Sequence, residues 1–256
     1  MHLFMILSSL LLLTSPGLAR KAKRPATTTA PSAAASTSGC TPTSGDASVM
    51  EFAYALEDLG AHFYSSTPLN SSAFSGAPND SNAAWFPNFR GMAKQSNLSL
   101  MAIEELGNKT PTYKAPACNF TLPHASSPRM LLDTTYYMES SLCGAYIGLA
   151  GYSESPEVSF LMARLAAGHS GHATYVQGHL MEPIYSDTNV SLVPAYPPEH
   201  VLTPGMSPGM LGDFLGKCVR LPVKPCGNTL IVDATSGNLT NNPTLISSAM
   251  ATQTAT

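Results

Sequence analysis

Four stretches of this chain repeat apolar residues at spacings of three and four, and that periodicity leaves few folds open. The first is SVMEFAYALEDLGAHFYSS, where Val49, Phe52, Ala53, Leu56, Leu59 and Phe63 form one stripe and Asp46 and Ser48 are candidate caps. The second runs from about Asn82 to Leu106, with Phe89, Met92, Ala93, Ser96, Leu100 and Ile103 on a shared face and Pro87 in its first turns. The third covers about Pro128 to Gly151 and aligns Leu132, Thr135, Glu139, Leu142, Tyr146 and Leu149. The fourth starts at Ser155-Pro156-Glu157, a cap, proline and acid in the favoured order, and ends before Pro183. Its stripe is Leu161, Leu165, His169, His172, Val176 and Leu180. A helix with one apolar stripe must bury it, and four of them are most economically buried against one another. The fold class expected is therefore all-α, an antiparallel four-helix bundle with irregular N- and C-terminal extensions.

The polar residues on those inward faces are the next constraint. Glu139 falls in the middle of a buried stripe, with no Lys or Arg on the C-terminal side of its helix to compensate it. An ionised carboxylate there is costly unless it is paired. His169 and His172 lie on the next helix, which a short turn folds back antiparallel. Glu57 borders the first stripe and can point to the same place, as can Tyr64, two turns further along. One divalent ion would compensate the carboxylates and fix both imidazoles; a metal-free polar cluster is the other reading. His179 and His62 are expected at the surface, and Glu104 and Glu105 are expected to be solvated. Ser170 beside His169 lacks the strand-turn-helix context of a hydrolase nucleophile.

Composition limits what such a bundle can meet. Only 11% of residues are charged, against about 25% in an average domain, and the net charge is −3. With no basic block in the folded part, nucleic-acid binding is not expected. Residues 1–19, with the apolar run LFMILSSLLLLTS and a small-residue site ending at Ala19, read as a secretory signal. The run falls short of the roughly 20 residues that span a bilayer, so no transmembrane segment is expected after cleavage. A signal anchor is the alternative, and Lys23-Arg24 offers a further processing site. Residues 20–47 are rich in Ser, Thr, Pro and Ala and read as a disordered, O-glycosylated spacer. The bundle is expected over 48–183, a Pro- and Gly-rich wrap over 184–233, and a second disordered tail over 234–256. Localisation is expected to be extracellular or in a cell wall, with matrix association as the partner class.

Sequons begin at Asn70, Asn79, Asn97, Asn108, Asn119, Asn189 and Asn238. Five cysteines suit an oxidising compartment. Cys218 and Cys226 flank a short loop and are the expected disulfide; Cys40, Cys118 and Cys143 then leave at least one thiol free or paired between chains.

The order of YALEDLGAHFY, MAKQSNLSLMAIEELG, MESSLCGAYIGLAG and LAAGHSGHATYV resembles the secreted ferritin-like family that includes plant desiccation-related and fungal stress-responsive proteins. The resemblance spans about 48–183. It implies the ferritin-like bundle and a di-metal carboxylate site, in which a Glu from each of two helices joins a Glu-x-x-His from each of the others. Aligned so, the second-helix Glu and His become Gln95 and Leu98, and the fourth-helix Glu becomes His169, while His172 keeps the His position. Glu57, Glu139, His169 and His172 remain, enough for one Fe, Mn or Zn ion and too few for a bridged pair. Three functions are open at this point. The protein is a non-catalytic secreted glycoprotein with a degenerate site, or a mononuclear metal protein or oxidoreductase, or an interaction protein that uses its C-terminal wrap.

Overall fold

The structure is a computed structural model that describes residues 40–67, 70–180 and 194–224. The expected signal sequence, most of the expected spacer, Asn189, Asn238, Cys226 and the expected C-terminal tail lie outside the described residues. Among the described residues every regular element is a helix, with no strand. Helix α1 spans Ala47–Ser66. A 3-10 turn, Ser71–Phe74, and a single turn α2, Asp80–Ala83, lead to α3, Trp85–Gly107. A long crossover, 108–127, then brings in α4, Pro128–Ala150, followed by α5, Pro156–Leu180. Helix α1 packs chiefly on α3 and α4 on α5, so the bundle is built from two helical pairs.

The stripes face inward as their periodicity requires. All six residues of the α1 stripe and all six of the α4 stripe are buried. The cap of α1 behaves differently from the expectation. Asp46 precedes the helix but makes no side-chain cap bond there. Its buried carboxylate instead accepts the amides of Glu154, at 2.7 Å, and Ser155, at 3.3 Å, together with that of Thr43, at 2.9 Å. Asp46 thus ties the start of α1 to the turn between α4 and α5.

The second helix starts at Trp85, three residues later than expected, and Pro87 explains the break. In a continuous helix its ring would collide with the carbonyl of Ala83. The chain kinks at Ala84, which adopts φ 46°, and the released Ala83 oxygen accepts bonds from Asn88 Nδ2, at 3.2 Å, and from the Tyr175 hydroxyl. The other long helices start as their sequences suggest. Ser127 Oγ accepts the Met130 amide at 3.2 Å with Pro128 in first position, and Ser155 Oγ accepts that of Val158 at 3.4 Å.

The irregular segment 194–224 lies along α4, with short turns α6, Pro198–Val201, and α7, Gly212–Leu215. Two glycines one turn apart make room for it. A Cβ at Gly144 would lie 2.4 Å from the Tyr196 ring, and one at Gly148 would lie 2.0 Å from the Tyr196 carbonyl oxygen. Tyr196 is buried in that groove, and its amide donates to the Gly144 carbonyl at 2.9 Å. The Tyr137 hydroxyl donates to the Met210 carbonyl, and the Gly209 amide donates to Ser141 Oγ at 3.0 Å.

The cysteine pairing corrects the expected one. Cys218 is joined to Cys118, not to Cys226, with a Cα separation of 5.1 Å. The wrap lies against the crossover here, where Thr121 donates its amide to the Phe214 carbonyl at 3.3 Å, and this long-range approach decides the pairing. Cys40 is free and exposed, while Cys143 is free and buried, its thiol pushed up to about 11 by burial.

Candidate functional site

Each of the four long helices brings a polar group to one level of the bundle. Glu57 comes from α1, Ser96 and Gln95 from α3, Glu139 from α4, and His169 and His172 from α5. Glu57, Glu139 and His169 are buried, and the His172 side chain is only 12% exposed. His169 lies between the two carboxylates. Its Nδ1 is 2.7 Å from Glu139 Oε2, and its Nε2 is 3.0 Å from Glu57 Oε2. His172 Nδ1 lies 3.1 Å from the same Glu139 oxygen, and its Nε2 is 2.8 Å from Gln95 Oε1.

Two tyrosines complete the arrangement in a crossed pattern. Tyr64, two turns beyond Glu57 on α1, donates its hydroxyl to Glu139 Oε1 on α4. Tyr146, two turns beyond Glu139 on α4, donates at 2.9 Å to Glu57 Oε2 on α1. This exchange requires the two helices to run antiparallel. Ser96 Oγ donates to Glu57 Oε1 at 2.8 Å. The Tyr146 ring also stacks on His169, with centroids 5.4 Å apart. Both carboxylates are therefore fully engaged.

The electrostatics follow from the burial and the pairing. Burial opposes a charge on His169, yet Glu57 and Glu139 together raise it to about 10. Burial alone would raise Glu139, but His169 and then His172 outweigh it and hold the carboxyl at about 2. The Tyr64 and Tyr146 phenols are raised far above their usual range, first by burial and then by the carboxylates beside them. His169 satisfies both of its carboxylate partners when it is an imidazolium that donates from both ring nitrogens.

All four residues expected from the sequence converge, and Tyr64 joins them. The expected counterparts on the second helix do not hold their places. Leu98 is 53% exposed and lies off the inner face. Ser96, one position after Gln95, makes the buried contact with Glu57, while Gln95 sits at the outer edge against His172. Tyr146 was legible only as a core aromatic; its place two turns from Glu139, mirroring Tyr64 and Glu57, was the available signal. His62, Glu104 and Glu105 are exposed as expected. His179 is not a free surface residue: its Nδ1 lies 2.8 Å from the Tyr175 carbonyl, and its ring packs on Trp85.

A bundle of two helical pairs with acids and imidazoles meeting at its centre defines the class of carboxylate-histidine four-helix proteins. The sequence matches the ferritin-like domain family over residues 45–182, more than half of the chain, and the protein belongs to that family. No curated protein matches it.

A dinuclear metal centre does not fit these residues. Its bridging carboxylates have no counterpart: Ser96 and His169 stand where the bundle would have to supply them, and each is committed to Glu57. One smaller group does converge. Ligand atoms of Glu139, His169 and His172 lie within 4.8 Å of one another, a separation that a single metal ion could bridge.

Proposed function

We propose that this protein is an extracellular ferritin-like glycoprotein that has given up dinuclear metal chemistry. Its role is structural or protective at the cell surface or in the matrix, of the kind implied by its resemblance to desiccation- and stress-related proteins. One observation carries the reading: His169 places both ring nitrogens between Glu57 and Glu139, so a protonated imidazole sits where a bundle of this class would use metal charge. Two buried carboxylates are then held by hydrogen bonds and an internal cation, and no group is left free for acid-base or redox work. Low charge and an expected glycan coat suit a chain that works by persisting outside the cell.

The second reading rests on a different feature of the same cluster. His169 and His172 both aim Nδ1 at Glu139 Oε2, while each Nε2 faces an outer acceptor, Glu57 or Gln95. Metal-binding histidines are commonly held in this way. One Fe, Mn or Zn ion held by Glu139, His169 and His172 would also compensate both carboxylates, whereas one imidazolium compensates only one.

Elemental analysis of protein purified without chelator separates the two. The first reading expects clearly substoichiometric metal, a melting temperature unmoved by chelator, and no oxygen uptake on adding Fe(II). About one equivalent of metal, lost in His172→Ala, would overturn it in favour of the mononuclear site.

A further inference from the structure

Helix α3 carries an apolar surface that the bundle does not use. Leu98 and Met101 are 53% and 62% exposed, and their spacing of three places them on one outward face. They sit between exposed Lys94 and Glu105 on the same face, and apolar area left in water is where a second copy can pack. Asn97 is exposed beside Leu98 and one turn before Met101, and it opens the sequon Asn97-Leu98-Ser99. Its Nδ2 donates to the Ala93 carbonyl at 2.9 Å, which holds the side chain along the helix surface.

The other described sequons are placed differently. Asn70 uses Oδ1 to cap the 3-10 turn through the Ala73 amide. Asn79 donates Nδ2 to the His179 carbonyl at 3.1 Å. Asn108 lies at the C-terminal cap of α3, and Asn119 adjoins the disulfide at Cys118. Asn97 is the described sequon within one turn of large exposed apolar side chains on its own helix.

We propose that Asn97 carries an N-linked glycan that lies over Leu98 and Met101 and keeps this face from self-association. The proposal rests on the extracellular reading above. In the transfer, the Asn97 amide nitrogen bonds to the anomeric carbon of the first N-acetylglucosamine of a lipid-diphosphate-linked oligosaccharide. The carbon–oxygen bond to the lipid diphosphate breaks, the diphosphate leaves with that electron pair, and the amide gives up one proton. The amide hydrogen that remains can keep donating to Ala93, so the first sugar is held against the helix rather than swinging free.

The test is site-by-site glycopeptide mapping of the full chain secreted from a eukaryotic host, with light scattering of the wild type and of Asn97→Gln. Ser99→Ala removes the same sequon while keeping Asn97, and so guards against a folding defect of the first variant. The proposal expects Asn97 to be occupied. It expects both variants to lose one glycan and to self-associate with rising concentration, and Leu98→Ser with Met101→Ser to restore the monomer. Occupancy at Asn70 or Asn119 with Asn97 bare would overturn the proposal and leave secretion standing. Bare asparagines throughout the secreted chain would overturn the glycoprotein reading and the proposal with it, and retention of the chain inside the cell would overturn the extracellular reading. An occupied Asn97 whose removal leaves solution behaviour unchanged, or self-association that survives the two serine substitutions, would overturn the shielding role.

Discussion

At the scale of the residue, His169 is the position on which the core depends. It faces Glu57 and Glu139 at once, and among the described residues no Lys or Arg forms an ion pair with either. His169→Ala would leave two buried carboxylates facing each other across a cavity. Breaking a buried pair from one side costs about 3–5 kcal/mol, and urea unfolding should show a loss of that size. The pH dependence has two limbs. His169 is raised to about 10 from an ordinary 6.5, so its contribution is complete below pH 6.5 and fades as pH climbs toward 10. Glu139 is lowered to about 2 from 4.5, so its contribution is complete above pH 4.5 and fades as pH drops toward 2. Melting temperature against pH should therefore peak between about 4.5 and 6.5, and His169→Ala should flatten the alkaline limb. These two groups were legible in the sequence because both interrupt an apolar stripe. Ser96 was legible on the inward stripe of its helix, but not as the partner of Glu57, which only packing against α1 decides.

At the scale of the element, helix boundaries were legible wherever a local signal acts alone. The third helix starts at Pro128 and the fourth at Ser155-Pro156, as read from the sequence. Asp46 did not behave as a local cap because two distant amides, of Glu154 and Ser155, compete for its carboxylate and win. The join between α4 and the wrap has the same character. Gly144 and Gly148 read in the sequence as small residues of a helix, and their use as a groove for Tyr196 depends on a segment far along the chain. Gly148→Ala would drive a methyl into the Tyr196 backbone. The expected result is a loss of about 1–3 kcal/mol, as for overpacking elsewhere, with faster hydrogen exchange in 194–224 than in α4 itself.

At the scale of the whole molecule, the disulfide and the crossover hold together parts that periodicity alone leaves unconnected. Cys118 and Cys218 close a loop with a sequence separation of 100. A loop of that length is worth roughly 4–5 kcal/mol through the unfolded state. Cys118→Ala with Cys218→Ala should lower the unfolding free energy by about that amount while far-UV circular dichroism stays helical. Retention of full stability would mean that the wrap and crossover already hold one another by packing.

By itself the sequence determined the four amphipathic helices, their stripes and the acids and imidazoles on them, because helical period and capping act within a few residues. Tertiary structure alone decided that each tyrosine serves the opposite helix's glutamate, that Ser96, already on an inward stripe, bonds to Glu57, and that Cys218 meets Cys118. Those outcomes depend on which surfaces meet across long separations in the chain. The meeting is set by the crossover and by close packing, neither of which leaves a periodic mark on the sequence.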